Sequence, residues 1–166
     1  MDAKPDLKYW LIGLAMFGVL IAMGVWLRGQ VPFSVIDHQE AATALRVDEI
    51  QGVWRDAGLS TFVLTSMVGD LIFIGFYGYG AVRAGRSFLA MESGLLRLLG
   101  ATILLGGIAF LITDYLETLL QIVQMVRDTG SDRMAATAAF AQPIKTVSWI
   151  LTFFGVIVAL VVRRFV

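Results

Sequence analysis

Four long apolar segments, separated by polar connections, dominate the hydrophobic pattern of this chain. They are residues 10–27, 61–82, 94–113 and 146–162. At about 1.5 Å of rise per residue, a helix of each length crosses a hydrocarbon core of about 30 Å, the shortest only just. The segments are uniformly apolar and do not alternate as strands would. The pattern predicts an all-α fold, an integral membrane four-helix bundle that forms a single domain over residues 1–166.

The connection between the first two segments has the pattern of an amphipathic helix over residues 37–57. Asp37 and Glu40 have the spacing of a capping box, and Gly58 suits the C-terminal end. Apolar residues recur at helical spacing, whereas most polar residues lie on other faces. The apolar residues are Val47, Ile50, Val53, Trp54 and Ala57. We expect this outer helix to lie on the membrane surface or over the end of the bundle, as a structural lid or as a docking surface for a partner.

The third helix is predicted to extend beyond its apolar segment to about residue 127, because polar residues follow at helical spacing. These residues are Asp114, Glu117, Gln121 and Gln124. Separations of three, four and three positions place them on one helical face, which we call the polar stripe. The alanine-rich residues 131–142 predict a second, short outer helix. Pro143 then fits the first turn of the fourth span.

Composition supports the membrane assignment and excludes several functions. Of the 166 residues, 58% are hydrophobic and 16% are charged, with a mean hydropathy of +0.79. In soluble domains roughly a quarter of the residues are charged. The chain has no cysteine, which excludes disulfides and thiolate metal sites. A formal net charge of zero without a basic cluster argues against nucleic acid as a partner.

Lysine and arginine residues favour a cytoplasmic location for both termini. Seven of these residues fall on the side of the termini and six on the other side. The short connection that contains Arg83 and Arg86 is mostly basic, whereas the connections on the other side mix basic with acidic residues. We predict a multi-pass protein of the bacterial inner membrane, or an equivalent membrane, with both termini inside.

Asp70 is the most informative single residue, because it is a carboxylate in the middle of an apolar span. A charge near the bilayer centre costs at least roughly 2.5 to 3.5 kcal/mol on insertion scales. Helical rise places Asp70 about 15 Å from the outer end of its helix, where the chain has no lysine or arginine. Desolvation favours the neutral acid, which then needs a hydrogen-bond partner. Candidate partners are Ser66, Tyr77, Thr102 and Thr152.

Three interpretations of Asp70 remain open. It is a neutral carboxyl that fixes helix packing, a proton or cation relay, or one half of a salt bridge to a helix of another protein.

The polar stripe is expected at the outer interface, with Asp114 and Glu117 about 15 Å farther outward than Asp70. Two carboxylates at i and i+3 bind a divalent cation or act as acid and base only if other ligands converge on them. His38 is the single histidine, and carboxylate-bridged sites in bundles use several Glu and His ligands. We therefore predict no metal site and interpret the polar stripe as a solvated or lid-packed face. The cofactor, if any, stays unknown.

Small residues recur at a spacing that lets helices approach closely. Gly18 and Ala22 form such a pair in the first span, and Gly155 and Ala159 form one in the fourth. We expect these packing seams to be used within the bundle or between subunits. The Gly78, Tyr79 and Gly80 triplet, which potassium-channel filters also contain, lies at the end of a continuous span, so we interpret its glycines as close-approach positions.

No catalytic motif is present: the chain lacks a P-loop, a dinucleotide fingerprint, an HExxH motif and a G-x-S-x-G elbow. The leading hypothesis is a non-enzymatic subunit or assembly partner of a larger membrane complex, with another protein or a second copy of the chain as its partner. The alternative is a small proton- or cation-coupled channel or transporter with Asp70 as the relay. A membrane enzyme that acts on lipid or quinone is a weaker alternative, and it requires a tunnel from the bilayer to Asp114 and Glu117.

Overall fold

A computed structural model describes residues 5–166. This part of the chain is helical, with 83% of residues in six helices and no strand. The helices are α1 (Lys8–Arg28), α2 (Val35–Gln39), α3 (Ala44–Asp56), α4 (Ser60–Leu89), α5 (Gly94–Arg127) and α6 (Asp132–Val162).

Four of these helices, α1, α4, α5 and α6, are long and apolar enough to cross a membrane. The all-α fold with four apolar spans is thus confirmed. The separate short helix expected over residues 131–142 is wrong, because α6 is continuous from Asp132 and Pro143 lies inside it. A proline inside a helix removes one backbone hydrogen bond and crowds the carbonyl four residues before it, a local cost that leaves the other hydrogen bonds of the helix in place.

The outer segment forms two helices, α2 and α3, instead of the single helix expected over residues 37–57. The capping box begins at Ser34, whose backbone N–H donates to the Asp37 carboxylate over 2.7 Å. Asp37 is therefore the third residue of a helix and not its cap. Thr43 caps α3 by accepting a hydrogen bond from the backbone N–H of Arg46. The first helix ends at Gln39 with Glu40 as its C-cap, and Ala42 then adopts a positive φ of 52° in the connection to α3.

The described chain divides into two compact units, and each long helix contributes residues to both. Unit 1 comprises residues 5–15, Phe73–Ile112 and Ile144–Val166. Unit 2 comprises Met16–Ile72 and Thr113–Pro143.

Unit 1 is held together by glycines that bring helices into backbone contact. A Cβ atom at Gly80 of α4 would overlap the backbone of Trp10 in α1. Gly85 of α4 likewise faces the backbone of Leu104 in α5, at 2.6 Å from the position of a Cβ atom. These contacts let α4 pack against both neighbours without intervening side chains, which is how membrane helices gain van der Waals attraction.

Aromatic rings fill the space that the glycines leave in unit 1. The ring of Tyr77 packs edge-on against Phe110, with centroids 5.1 Å apart. On its other side it is stacked with Trp149, which in turn stacks on Phe153.

Unit 2 contains an apolar core around α3, in which Val47, Ile50 and Trp54 have no exposed surface. Trp54 Nε1 donates a hydrogen bond to the carbonyl of Phe33 over 2.8 Å. The polar side chain of Gln51 in α3 is buried as well.

Two further hydrogen bonds tie α3 to the connection between α5 and α6. The N–H of Ala44 donates to Asp132 over 2.7 Å, and the N–H of Gly130 donates to Asp48 over 2.5 Å.

Candidate functional site

Asp70 lies on α4 in unit 2, where its carboxylate is half-buried. The hydroxyl of Thr118 in α5 donates a hydrogen bond to Asp70 Oδ2 over 3.1 Å. A second hydrogen bond joins the same two helices one residue farther along α4, where the Tyr115 hydroxyl donates to the carbonyl of Leu71 over 3.2 Å. These two bonds set residues 115–118 of α5 beside residues 70 and 71 of α4.

This register corrects the expected depth of the polar stripe. Asp114 is four residues from Thr118 and Glu117 is one residue from it, so both lie within about 6 Å of that level along the α5 axis. The expectation of a 15 Å separation from Asp70 is wrong. It assumed that α5 leaves the membrane at the end of its apolar segment, but the position at which one helix slides along another depends on side-chain packing and not on where an apolar run ends.

The polar stripe is buried inside unit 2, and Thr118 belongs to the same face. None of these five side chains is more than 3% exposed. They are Asp114, Glu117, Thr118, Gln121 and Gln124. Of the two expectations for this face, the solvated one is therefore wrong, and the lid-packed one stays a prediction. Buried polar groups require partners, so this face organises the interior of unit 2.

Several of these partners come from the chain itself. Gln121 Nε2 donates to Glu117 Oε1 over 3.2 Å, one helical turn away. Gln124 Nε2 donates to the Leu120 carbonyl, and Gln124 Oε1 accepts a hydrogen bond from the backbone N–H of Ser131 over 3.0 Å. The polar stripe thus runs from the level of Asp70 to the connection that precedes α6.

Asp70 also lines a cavity of about 330 Å³ in unit 2. The cavity is bounded by α1, α2 and α4, and its walls are mostly apolar. Apolar wall residues include Phe17, Leu20, Gly24, Leu27 and Phe62. Polar groups on the wall come from Arg28, Ser34, Gln39, Ser66 and Asp70.

Ser66 is the one predicted partner that shares this cavity with Asp70. Its hydroxyl donates to the carbonyl of Val63 in its own helix over 2.7 Å. The oxygen of that hydroxyl retains acceptor capacity. The cavity therefore holds a carboxyl group and a hydroxyl acceptor one helical turn apart on α4.

The other predicted partners of Asp70 lie in unit 1. The hydroxyl groups of Tyr77 and Thr152 are 2.9 Å apart and form a hydrogen bond. Thr102 is exposed, and its hydroxyl donates to the carbonyl of Leu98 in α5.

Sequence reasoning missed Thr118, although its spacing contains the necessary information. Thr118 is four positions after Asp114 and three before Gln121, so it falls on the face of the polar stripe. A threonine inside a helix commonly satisfies its hydroxyl on its own backbone. Because such threonines are common, the sequence alone did not mark Thr118 as a partner of Asp70.

The two small-residue pairs have different environments. Ala159 in unit 1 has no exposed surface, and the position of a Cβ atom at Gly155 is 2.9 Å from Ile103 of α5. Gly18 and Ala22 of α1 are exposed, and apart from the adjoining part of α1 itself no atom of the described chain lies within 4 Å of a Cβ position at Gly18.

His38 and Gln51 form a second buried polar pair, at the interface of α2 and α3. His38 Nε2 is 3.1 Å from Gln51 Nε2, and each residue is 2% exposed. Burial lowers the pKa of His38 to about 4, so the ring is neutral at pH 7. Within residues 5–166, no group of three or more His, Asp or Glu side chains is arranged to hold a metal ion.

The arrangement offers acid and hydrogen-bond chemistry at one level of unit 2. A carboxyl group at the wall of a cavity contacts, through a threonine hydroxyl, a buried helical face that carries two more carboxyl groups. The cavity reaches Asp70, whereas Asp114 and Glu117 are 3% and 0% exposed. No protein-family model matches the chain, and comparison with curated proteins and with solved structures likewise gives no match.

Proposed function

We propose that the protein is a small proton-coupled membrane protein in which Asp70 exchanges protons between the cavity and the polar stripe. The observation that carries this proposal is the position of Asp70, which lines the cavity and accepts a hydrogen bond from Thr118. Ionisable residues inside membrane helices are costly and commonly mark ion or proton pathways.

Two features of unit 2 support a proton over a larger cargo. The cavity adjoins Asp70, while the groups beyond Thr118 are buried carboxyl and amide side chains. Carboxyl and hydroxyl groups both donate and accept hydrogen bonds, so they can pass a proton without an open pore. Asp70 is the acid that gains or loses the proton, and the acceptors on α5 are Asp114, one turn from Thr118, and Glu117, next to it in sequence.

Proton flux into liposomes tests this role. The purified protein is reconstituted with a pH-sensitive dye inside the vesicles, and a potassium diffusion potential supplies the driving force. We expect dye acidification above that of protein-free vesicles, and we expect Asp70→Asn to abolish it because an amide does not titrate. Asp56→Asn is the matched control, since Asp56 is an exposed residue at the end of α3.

Two results would reject the proposal. One is wild-type flux equal to that of empty vesicles under both inward and outward gradients. The other is an Asp70→Asn variant that folds, as judged by its elution profile and helicity, and still conducts like the wild type.

A role as a subunit of a larger complex is the second candidate, and the exposed pair Gly18 and Ala22 favours it. Small residues four apart on an outward face let another membrane helix approach closely. On this proposal Gly18→Leu lowers the apparent mass of the protein in a mild detergent, whereas Gly24→Leu on the cavity side of α1 does not. A wild-type monomer would speak against self-association.

A further inference from the structure

One basic residue, Arg28, and one acidic residue, Asp70, line the cavity of unit 2, and most of the other lining residues are apolar. Arg28 is the last residue of α1, and Asp70 lies deeper on α4. The ring of Trp26 packs on Phe62 with centroids 4.6 Å apart, which sets the end of α1 beside the first turn of α4. Eight residues separate Phe62 from Asp70, so Arg28 and Asp70 are about 12 to 15 Å apart along the helix direction.

Arg28 is available to bind an anion. It forms no ion pair within the described residues, and it acts on Asp37 only as a charge that contributes to a lowered pKa. The Asp37 carboxylate is already occupied by the backbone N–H and the hydroxyl of Ser34. Gln39 also lines the cavity and adds an amide donor.

Asp70 and Ser66 set the chemistry of the deep end. A hydroxyl group of a ligand can donate to an ionised Asp70 or accept from a protonated one, so it suits both protonation states. The Ser66 oxygen supplies a further acceptor. An aliphatic chain end offers this carboxyl group no hydrogen bond beyond the one from Thr118, whereas a hydroxyl group adds one.

The size and walls of the cavity limit the ligand to one chain. A volume of about 330 Å³ is at the lower end of the range for small-molecule sites, roughly 300 to 1,000 Å³. Between Arg28 and Asp70 the wall is mostly apolar, with Leu20, Gly24 and Phe62 among its residues.

We propose that this cavity binds a single-chain anionic amphiphile that carries a hydroxyl group at the far end of its chain. The acid group lies on Arg28 and Gln39, the chain follows α1 and α4, and the hydroxyl group reaches Asp70. This binding requires no proton transfer and goes beyond the proposed function.

Titration calorimetry in nanodiscs of zwitterionic phosphatidylcholine tests the proposal. The probes are ω-hydroxydodecanoate, dodecanoate and dodecanol, each corrected for uptake by protein-free nanodiscs. We expect the hydroxy acid to bind most tightly, since each lost hydrogen bond to a charged group weakens binding by about tenfold or more. Arg28→Gln removes the preference for the acids over the alcohol.

Gly24 and Gly18 provide a matched pair of variants on α1. A Cβ atom at either position meets nothing within 4 Å apart from the adjoining part of α1 itself, so neither substitution clashes at its first side-chain atom. Gly24 lines the cavity. We expect Gly24→Leu to fill the cavity and lower the affinity for ω-hydroxydodecanoate at least about tenfold, and Gly18→Leu to keep wild-type affinity.

Three outcomes would overturn the proposal. They are equal affinity of Gly24→Leu and the wild type, no loss of affinity in Arg28→Gln, and heats that match protein-free nanodiscs for every probe. The flux assay is independent of this one. Binding without flux refutes the proton relay alone, and flux without binding refutes the amphiphile site alone.

Discussion

Unit 1 and unit 2 are built from the same four long helices, but they bury different chemistry. Unit 1 buries glycine contacts and stacked aromatic rings around Tyr77. Unit 2 buries the carboxyl and amide groups of the polar stripe. Close packing and aromatic contacts are enough to hold membrane helices together. Membrane helices can thus pack without buried acids, so the acids of unit 2 do more than the hydrogen bonds by which they hold that unit together, and this difference is why we place the proposed function in unit 2.

The space around individual glycines also differs between the two units. A side chain at Gly80 in unit 1 would overlap the backbone of a neighbouring helix, whereas Gly24 in unit 2 faces a cavity. There is no room for an added side chain at Gly80, whereas the cavity beside Gly24 has room for a ligand.

Leucine substitutions at these two glycines should give the largest difference in stability. Gly80→Leu forces α1 and α4 apart, and overpacking of this kind costs about 3 kcal/mol or more. Gly24→Leu enters open space and should leave stability unchanged or slightly raised, because leucine favours the helix more than glycine does. Thermal denaturation in detergent measures both. Equal melting temperatures would show that the two units are packed alike.

Acid should weaken the outer part of unit 2 and leave unit 1 unaffected. The pKa of buried His38 is about 4, below its ordinary value of 6.5, so the opened segment binds a proton more readily than the packed one. Stability of the α2 and α3 packing is therefore complete above pH 6.5 and is lost as pH falls toward 4, by about 3 kcal/mol in total. Below pH 4 both forms are protonated and the loss stops growing.

Hydrogen exchange of the α2 and α3 amides between pH 7 and pH 4, corrected for intrinsic rates, checks this expectation. His38→Gln should remove the pH dependence in that range. Asp37 is separable, because hydrogen bonds from Ser34 lower its pKa below 3.8 and its contribution is lost only at more acidic pH. Protection that stays constant from pH 7 to pH 4 in the wild type would contradict the assignment to His38.

A matched pair of threonine variants separates stability from function. Thr152→Val removes the hydrogen bond to Tyr77 in unit 1, and Thr118→Val removes the one to Asp70 in unit 2. Each should cost about 1 kcal/mol of stability. Proton flux should fall only in Thr118→Val. If both variants conduct like the wild type, Thr118 does not belong to the relay.

The four long helices were predictable from the sequence because each is specified by its own local run of residues. An apolar run of sufficient length specifies a membrane helix wherever it packs, and the four runs correspond to α1, α4, α5 and α6. Spacing along one helix is equally local, so the shared face of Asp114, Glu117, Gln121 and Gln124 could be identified.

The register between helices was not predictable in the same way. The slide of α5 along α4 depends on contacts such as Thr118 with Asp70, which no periodicity in either segment specifies. The predicted start of the outer helix was wrong for a related reason. Ser34 and Asp37 form the observed capping box, and Asp37 with Glu40 has the same spacing, so spacing alone left two starts possible.

The smallest expected effect concerns the surface of unit 2. Glu49 pairs with Arg46 across 2.7 Å, but both side chains are more than a third exposed, so solvent screens the attraction. Glu49→Gln should change stability by less than about 0.5 kcal/mol, and high salt should abolish even that difference. Thr118→Val is the comparison, since it removes one buried hydrogen bond from the same unit. A larger loss in Glu49→Gln than in Thr118→Val, measured by thermal denaturation in one detergent, would mean that surface charge and not the buried polar stripe holds unit 2 together.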